Sequence, residues 1–438
     1  MGDTGWRSLI LTESGKLRLG AFFLFYFGQG LPIGVTAVAF TAWLAANGAP
    51  DADVAAVVSV AYLPWSFKFL IAAMMDRYAY LEMGRRRAWL IVSQLMMVAG
   101  FLIASVIAPT PDDIQTILVV TFLVMSGGAM QDVAVDGLAV DLLPEHEQGT
   151  ASSFMFGGQV VGRALSGAAA GVGLQYYGSQ ATFLAFLPVI GLVTVLAIAI
   201  RERPGEKRFP WSPGEVAAEN RERHAGAWLP IFVVTIKSLL KRDSLKLLGA
   251  AASSRCASGM FDPMFPIIAT AFVAFDTASY SGMISTVDFV SALAAIAIGS
   301  FLALKLGPRR ATVAVYLVYA ALAAFIMLGR EIWTTTSAFV AMCAVWSLCN
   351  TLASICSNPL RMQLSDPKVA ATQFTIYNSL SNLPVSLGAG LFAVLGGTAD
   401  LVTVMAAAIG LFAIGCAFYG WMAIGSRPVK AEPVPELT

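Results

Sequence analysis

The sequence predicts an all-α integral membrane protein, and three observations support this class. Hydrophobic residues make up 57% of the 438 residues and charged residues only 13%, which is about half the charged share of a soluble domain. The segment Ala181–Ile200 carries no charge over twenty residues, which is enough to cross a hydrocarbon core of about 30 Å. Apolar runs of similar length recur along the whole chain, so we expect it to cross the membrane many times.

Twelve apolar runs are long enough to be transmembrane helices. Their approximate boundaries are 17–45, 52–74, 88–108, 114–142, 149–173, 180–200, 245–271, 278–304, 311–329, 332–360, 369–396 and 399–424. When both termini are placed in the cytoplasm, 24 of the 28 Lys and Arg residues fall on the cytoplasmic side, as the positive-inside rule requires. The sequence therefore predicts twelve spans with both termini cytoplasmic.

The chain divides into two halves of six spans each. We assign residues 1–200 to the first half, 201–244 to a cytoplasmic linker and 245–438 to the second half. Within the linker, Trp228–Leu240 is apolar but only thirteen residues long. It therefore predicts a helix that lies along the inner membrane surface rather than a span.

The two halves repeat in sequence. The turn Gly84–Arg87 recurs 223 residues later as Gly307–Arg310. Helix-breaking Gly and Pro residues occur at matching places, in Gly28–Pro32 of span 1 and in Gly259–Pro263 of span 7. Such interruptions at corresponding positions of two halves point to a substrate site between the repeats.

Six plus six spans around a basic linker is the plan of the major facilitator superfamily, and local motifs narrow the resemblance. Pro64–Leu70, Asp76–Tyr78 and Gly84–Trp89 resemble the loop 2–3 motif in the form used by the AmpG muropeptide permease and acetyl-CoA transporter branch. Gln131–Val140 is similar to the span-4 motif of that branch. The resemblance implies a secondary transporter that works by alternating access.

The same resemblance implies a class of solute and a conformational latch. It implies a bulky, polar, anionic solute, with anhydro-muropeptide as the first choice and a siderophore or an acyl-CoA as alternatives. In the family, a charged cluster after span 2 latches the two halves together in the outward-open state. The corresponding residues here are Asp76, Arg77, Arg85, Arg86 and Arg87. A simpler role is to orient the chain through positive charge, and the two roles are compatible.

Two carboxylates inside span 4 are candidates for proton coupling. Asp132 and Asp136 are four residues apart and therefore share one face of a helix. A carboxylate in the membrane interior is costly and marks a cavity or a proton relay, and repulsion between two of them favours protonation of one. The alternative is a structural hydrogen-bonded pair that locks span 4 to a neighbouring helix.

Two arginines inside spans are candidates for binding the anionic group of a solute. Arg163 lies in span 5, one turn after Gln159, and Arg255 lies in span 7. The guanidinium fork suits a carboxylate or a phosphate. Either arginine alternatively neutralises a carboxylate of the chain itself, for which the candidates are Asp132, Asp136, Asp262 and Asp288. Asp262 lies seven residues beyond Arg255, so we expect it on the same helix face and include it in the solute site.

Polar residues at helical spacing are further candidates for lining a cavity. Span 1 carries Tyr26 and Gln29, and span 10 carries Asn350 and Ser354. Residues of these types also hold transmembrane helices together, so both roles remain open.

The sequence argues against several other functions. It contains no P-loop, no metalloprotease motif and no serine-hydrolase motif, so we expect neither an enzyme nor a bound metal or cofactor. A net charge of +1 without a basic tract argues against a nucleic-acid partner. A membrane-embedded acyltransferase and a facilitator-fold assembly factor are the remaining alternative functions.

We expect a monomeric, proton-coupled importer in the inner membrane of a bacterium, with the solute, protons and the lipid bilayer as its partners.

Overall fold

The computed structural model describes residues 9–222, 237, 239–364 and 370–422. These residues fold into twelve long helical rods, which we label α1 to α12 in chain order. The first half comprises α1 (Gly15–Ala46), α2 (Asp51–Arg77), α3 (Arg87–Ile107), α4 (Ile114–Leu142), α5 (Glu145–Tyr176) and α6 (Gly178–Ala199). The second half comprises α7 (Arg242–Gly259 and Phe261–Phe272), α8 (Thr277–Leu306), α9 (Pro308–Leu328), α10 (Thr336–Leu364), α11 (Ala370–Val394) and α12 (Leu401–Gly420). The twelve predicted spans are confirmed, with boundaries that differ by at most four residues.

The rods differ in how apolar they are. Within the described part of the chain, nine rods are long and apolar enough to cross a membrane by length and composition alone. The remaining three are α5, α7 and α11. Of these, α5 packs on α1 and α8, and α11 packs on α2 and α7.

Three rods are interrupted where the sequence carries helix-breaking residues. α1 loosens into a π-helical segment at Gly34–Phe40, just after Pro32. α2 breaks at Phe67, three residues after Pro64, and α7 breaks at Met260. Proline has no N–H and its ring crowds the carbonyl of the preceding turn, which accounts for the break of α7 three residues before Pro263. The Gly/Pro segments of spans 1 and 7 thus mark real interruptions.

Small residues bring helices into close contact in the same way in both halves. A Cβ atom on Gly158 of α5 would lie 2.3 Å from the Phe23 carbonyl oxygen of α1, and one on Gly162 would lie 2.2 Å from the Phe27 carbonyl oxygen. In the second half, a Cβ atom on Gly388 of α11 would lie 2.0 Å from the Cys256 carbonyl oxygen of α7. The α1–α5 contact of the first half is therefore repeated as the α7–α11 contact of the second.

The two ends of the bundle carry opposite charges. We call one end the basic face; it holds Arg18, Arg85, Arg86, Arg87 and Arg309. We call the other end the opposite face; it holds Asp51, Asp113, Asp276 and Asp400. The predicted cytoplasmic side corresponds to the basic face.

The two halves are joined at the opposite face. The backbone N–H and the hydroxyl of Thr398 donate to Asp51 Oδ2 at 2.6 and 2.7 Å, and Gln175 Nε2 donates to Asp276 Oδ2 at 3.0 Å. At mid-depth, the halves are joined by hydrogen bonds of the pairs Ser59–Ser386 and Trp65–Asn382. Between described residues, no hydrogen bond joins the halves at the basic face. The structure is therefore a state that is closed at the opposite face.

The linker begins by capping α3. Glu202 accepts hydrogen bonds from the backbone N–H groups of Arg85, Arg86 and Arg87 at 3.0, 2.7 and 2.7 Å. These groups at a helix N-terminus have no partner inside the helix, so a buried carboxylate is a fitting acceptor. The surface helix predicted over Trp228–Leu240 lies almost entirely outside the described residues.

Candidate solute and proton site

A cavity of about 250 Å³ lies between the two halves at mid-depth. Side chains of α2 and α5 face it from the first half, and side chains of α8 and α10 face it from the second. Its polar and aromatic lining includes Tyr62, Trp65, Gln159, Arg163, Asp288 and Asn350. The contacts at the opposite face close it on that side.

Asp132 is buried in an ion pair within the first half. Lys68 Nζ lies 2.8 Å from Asp132 Oδ2, and Gln29 Nε2 donates to Asp132 Oδ1 at 2.8 Å. Lys68 reaches the carboxylate from the first residue of the second α2 segment, which begins where α2 breaks at Phe67. The two charged side chains are only 12% and 7% exposed. The Asp132 charge is therefore balanced inside the protein.

Asp136 lies one turn away in a different environment. It is exposed, and its carboxylate accepts a hydrogen bond from the Tyr26 hydroxyl. Among the described ion pairs, none includes Asp136. Although the two carboxylates share a helix face, only Asp132 has a cation beside it.

Gln159 connects the cavity to this acidic cluster. Gln159 lines the cavity, and its Nε2 donates to Gln29 Oε1 at 2.8 Å. Gln29 in turn donates to Asp132. Tyr26 and Gln29 thus contact the carboxylates of α4, while Gln159 forms part of the cavity wall.

Arg163 is paired with a carboxylate of the other half. Its Nη2 lies 2.7 Å from Asp288 Oδ2 on α8. Ser347 of α10 donates to the second Asp288 oxygen at 2.6 Å. Of the partners considered for Arg163 from the sequence, the structure selects Asp288.

Arg255 has only weak partners. Its Nη1 lies 3.4 Å from Asn350 Oδ1, and its Nε lies 3.4 Å from the Ser381 carbonyl oxygen. It belongs to none of the ion pairs between described residues. Arg255 itself is not among the cavity-lining residues, and it is connected to the cavity wall through Asn350.

Asp262 and Arg255 lie on the two segments of α7, the first of which ends at Gly259 and the second of which begins at Phe261. None of the ion pairs between described residues joins them. Asp262 lines a second, smaller cavity together with Tyr62 and Arg163. The shared helix face expected from their spacing stays a prediction.

In α10, Asn350 and Ser354 have different surroundings. Asn350 lines the cavity and accepts from Arg255. Ser354 is not among the cavity-lining residues, and its hydroxyl donates to the Asn350 carbonyl oxygen at 3.4 Å. Its hydrogen bond therefore stays within its own helix.

Arg361 was not identified from the sequence as a site residue. The predicted span ended at residue 360, which placed Arg361 in a cytoplasmic loop, whereas α10 continues to Leu364. Arg361 is 7% exposed, and its Nη1 donates to Asn358 Oδ1 at 2.7 Å and Asn378 Oδ1 at 2.9 Å. Extending the predicted span 10 by one turn beyond Pro359 would have placed Arg361 inside the helix.

The charged cluster after α2 is bonded within the first half. Arg85 and Arg86 contact Asp76 Oδ1 at 3.1 and 2.6 Å, and Arg77 lies against the ring of Tyr78. The guanidinium of Arg87 donates to carbonyl oxygens of the α6 end and of the linker, at Ala197, Ile198, Lys207 and Arg208. Arg87 thus ties α3 to α6 and to the linker.

Two linker carboxylates are buried close together on the basic face. Glu202 and Glu206 are each 1% exposed. Glu206 Oε2 accepts the backbone N–H groups of Glu202 and Arg203 at 3.0 and 2.9 Å. Burial, followed by the charge of Glu202, raises the pKa of Glu206 to about 7. The linker therefore contains a carboxyl that titrates near neutral pH.

The sequence relationships agree with this architecture. Residues 19–389 match the family model of the Major Facilitator Superfamily, so the chain belongs to that superfamily. An uncharacterized protein of Haemophilus influenzae is 24% identical over 380 residues, covering 82% of this chain and 83% of that protein. The anhydromuropeptide permease of Escherichia coli K12 is 27% identical over 141 residues, which is 32% of this chain and 28% of the permease.

Solved structures show the same fold. A POT family transporter in complex with a thioalcohol-conjugated peptide superposes with a TM-score of 0.69 at 12% identity, over 95% of this chain and 99% of that one. The nucleoside transporter NupG gives 0.67 at 10% identity, over 92% and 98%. A bacterial homologue of the human lysosomal transporter Spinster, inward-facing and unoccupied, gives 0.65 at 15% identity, over 95% and 97%. The protein is a membrane transporter of the major facilitator fold and not an enzyme.

Proposed function

We propose that the protein is a proton-coupled importer of a bulky, polar, anionic solute, with anhydro-muropeptide as the first choice. It would act as a monomer in the inner membrane of a bacterium, with the basic face in the cytoplasm. The observation that carries this proposal is that the cavity wall is hydrogen-bonded to opposite charges on its two sides: through Gln159 and Gln29 to Asp132, and through Asn350 to Arg255. The acids of the first half supply the proton site, and Arg255 of the second half supplies the anion site.

The anion site is proposed at Arg255 because its charge is not balanced by a carboxylate among the described residues. Its contacts with Asn350 and Ser381, both at 3.4 Å, are long for charge-assisted hydrogen bonds. A solute carboxylate offers two oxygens to the guanidinium fork. It would replace these weak contacts with stronger ones, while Asn350 and Gln159 present polar groups from opposite walls.

The proton site is proposed at Asp136. Asp132 already has Lys68 at 2.8 Å, and a neighbouring cation favours the ionised carboxylate. Asp136 has no such cation and is exposed, so a proton can reach it. The Asp132 charge beside it and the Tyr26 hydroxyl complete its surroundings. We therefore assign proton release and uptake to Asp136 and a fixed charge to Asp132.

Sequence similarity to the anhydromuropeptide permease supports anhydro-muropeptide as the solute, whereas the volume of the central cavity limits the size of a solute that fits. The matched region of the anhydromuropeptide permease is about a third of this chain. The cavity of about 250 Å³ is slightly below the usual range of ligand pockets, about 300–1,000 Å³. A muropeptide therefore requires the cavity to widen toward the basic face, where hydrogen bonds between the halves are lacking among the described residues.

We propose that Asp76, Arg77, Arg85, Arg86 and Arg87 form a latch that holds the basic face closed in the other conformation of the transport cycle. In this state Asp76 bonds to Arg85 and Arg86 of its own half. When the basic face closes, Asp76 would become available to the second half. Arg87, which bonds to backbone carbonyls, would hold the cluster in place.

Solute uptake into proteoliposomes tests the proposal. The panel contains anhydro-muropeptide, a ferric siderophore, acetyl-CoA and an uncharged disaccharide, each measured with and without an inward proton gradient. We expect anhydro-muropeptide to accumulate above its outside concentration only with the gradient, and the disaccharide not to accumulate. Gradient-driven uptake of the siderophore or acetyl-CoA alone would reassign the solute, and uptake of the disaccharide alone would contradict the anion site.

A further inference from the structure

One ion pair in the described part of the chain joins the two halves. Arg163 of α5 contacts Asp288 of α8 at 2.7 Å, with side-chain exposures of 31% and 12%. The other described ion pairs, such as Arg18–Glu147 and Lys68–Asp132, lie within one half or the linker. Any movement that separates α5 from α8 breaks Arg163–Asp288 and leaves the others intact.

The pair terminates a closely packed seam that runs to the opposite face. Between the pair and that face, α5 and α8 touch through small residues: a Cβ atom on Gly167 would lie 2.8 Å from Ser285 Oγ, and one on Gly171 would lie 2.3 Å from Ser281 Cβ. The seam ends at Gln175, which bonds to Asp276 and to the Ala278 N–H. Separating α5 from α8 along this seam exposes the ion pair.

Both members of the pair line the central cavity, and Arg163 is the more exposed of the two. Asp288 is held on its own side by the Ser347 hydroxyl at 2.6 Å. An anion that enters the cavity can therefore take the place of Asp288 on the guanidinium, while Asp288 keeps its bond to α10.

We propose that Arg163–Asp288 is an ion-pair gate that holds the opposite face shut, and that a second anionic group of the solute, besides the one at Arg255, opens it by replacing Asp288 on Arg163. A solute that binds Arg163 only after the pair has broken binds only the gate-open state. It therefore shifts the population toward that state. Asp288 is thereby assigned a role as the positioning residue of the gate. The solute step rests on the proposed function, whereas the gate itself rests on the geometry of the described residues.

Cysteine labelling in the seam tests the gate without any solute. Ser281→Cys is the reporter, in a chain whose five native cysteines are replaced by alanine, because Ser281 is fully buried in the closed seam. Loss of a charge-assisted contact corresponds to about a 10- to 150-fold change in population. We therefore expect Asp288→Asn to raise the maleimide labelling rate at least about tenfold.

Two further variants control the experiment. Glu147→Gln removes the carboxylate of the Arg18 pair, which is also 2.7 Å long but lies within one half, and should leave the labelling rate unchanged. The charge exchange Arg163→Asp/Asp288→Arg should return the rate close to that of the parent, including when Asp288→Asn alone folds poorly. Equal rates in the parent and Asp288→Asn, or fast labelling of the charge exchange, would overturn the gate.

A separate arm tests the solute step. Anhydro-muropeptide should accelerate labelling of the parent reporter but not of the reporter carrying Arg163→Lys, because an ammonium lacks the two-point fork. Acceleration in both would overturn the replacement at Arg163. If anhydro-muropeptide is not transported, the same arm is run with the panel member that is, and the solute-free labelling still decides the gate.

Discussion

Lys68 and Asp132 come from different helices and meet at 2.8 Å, whereas Asp136, one turn from Asp132 on the same helix, belongs to no ion pair between described residues. Two carboxylates that look equivalent in sequence are thereby given different roles. The difference is produced by the break at Phe67, which starts a new helix at Lys68 and brings its ammonium group to only one of the two acids.

The first prediction concerns stability. Asp132→Asn leaves Lys68 buried without its partner, and breaking one member of a buried pair costs about 3–5 kcal/mol. We expect a clear loss of thermal stability in purified protein. Asp136→Asn is the matched control, since it removes a carboxylate without a paired cation and should melt close to the parent. Restoration of stability in Lys68→Met/Asp132→Leu would support the pairing, and equal melting of the two single variants would contradict it.

The second prediction concerns solute affinity. Arg255→Lys should weaken binding of an anionic solute at least about tenfold, because an ammonium cannot reproduce the planar fork. Thermal stability should stay near that of the parent, because Arg255 has no carboxylate to leave unpaired among the described residues. Arg309→Lys, at the basic face outside the cavity, is the matched control. The anion site would be refuted by unchanged affinity in Arg255→Lys, measured by titration of the purified variants.

The third prediction concerns the pH dependence of stability. Folding raises the pKa of Glu206 from its ordinary value near 4.5 to about 7. The stability that this carboxyl contributes is therefore complete below about pH 4.5 and is lost as the pH rises through about 7. The parent should therefore melt a few degrees lower at pH 8.5 than at pH 5.5. Glu206→Gln cannot ionise and should show a smaller difference between the two pH values. Glu215→Gln, at an exposed linker position, should keep the parental difference, and an unchanged difference in Glu206→Gln would contradict the assignment.

The fourth prediction concerns the latch. Asp76→Asn weakens contacts that stabilise the basic face when it closes, and so should shift the population further toward the state closed at the opposite face. A charge-assisted contact corresponds to about a 10- to 150-fold change in population. Labelling of single cysteines at the two faces reports the shift. Identical labelling of the parent and Asp76→Asn would mean that the cluster serves only to orient the chain.

Much of the fold could be predicted because it follows from local patterns. Span length, charge bias and the Gly/Pro interruptions of spans 1 and 7 are properties of short segments. The helix break before Lys68 follows Pro64, which is visible in the sequence, but the pairing of Lys68 with Asp132 is not.

The site could be predicted only in part because it depends on contacts between distant helices. The pairing of Arg163 with Asp288 joins residues 125 positions apart on two halves, and no local pattern selects Asp288 over the other acids. Arg361 was missed because a span boundary was placed four residues too early.

Proton movement through Asp136 is the central claim, and a direct measurement follows the internal pH of proteoliposomes when solute is added outside. With a pH indicator inside the vesicles and no initial gradient, the account predicts that solute acidifies the interior in the parent. It predicts no acidification in Asp136→Asn, while exchange of labelled for unlabelled solute continues in that variant. Equal acidification by the parent and Asp136→Asn, or uptake by the parent without acidification, would contradict the account.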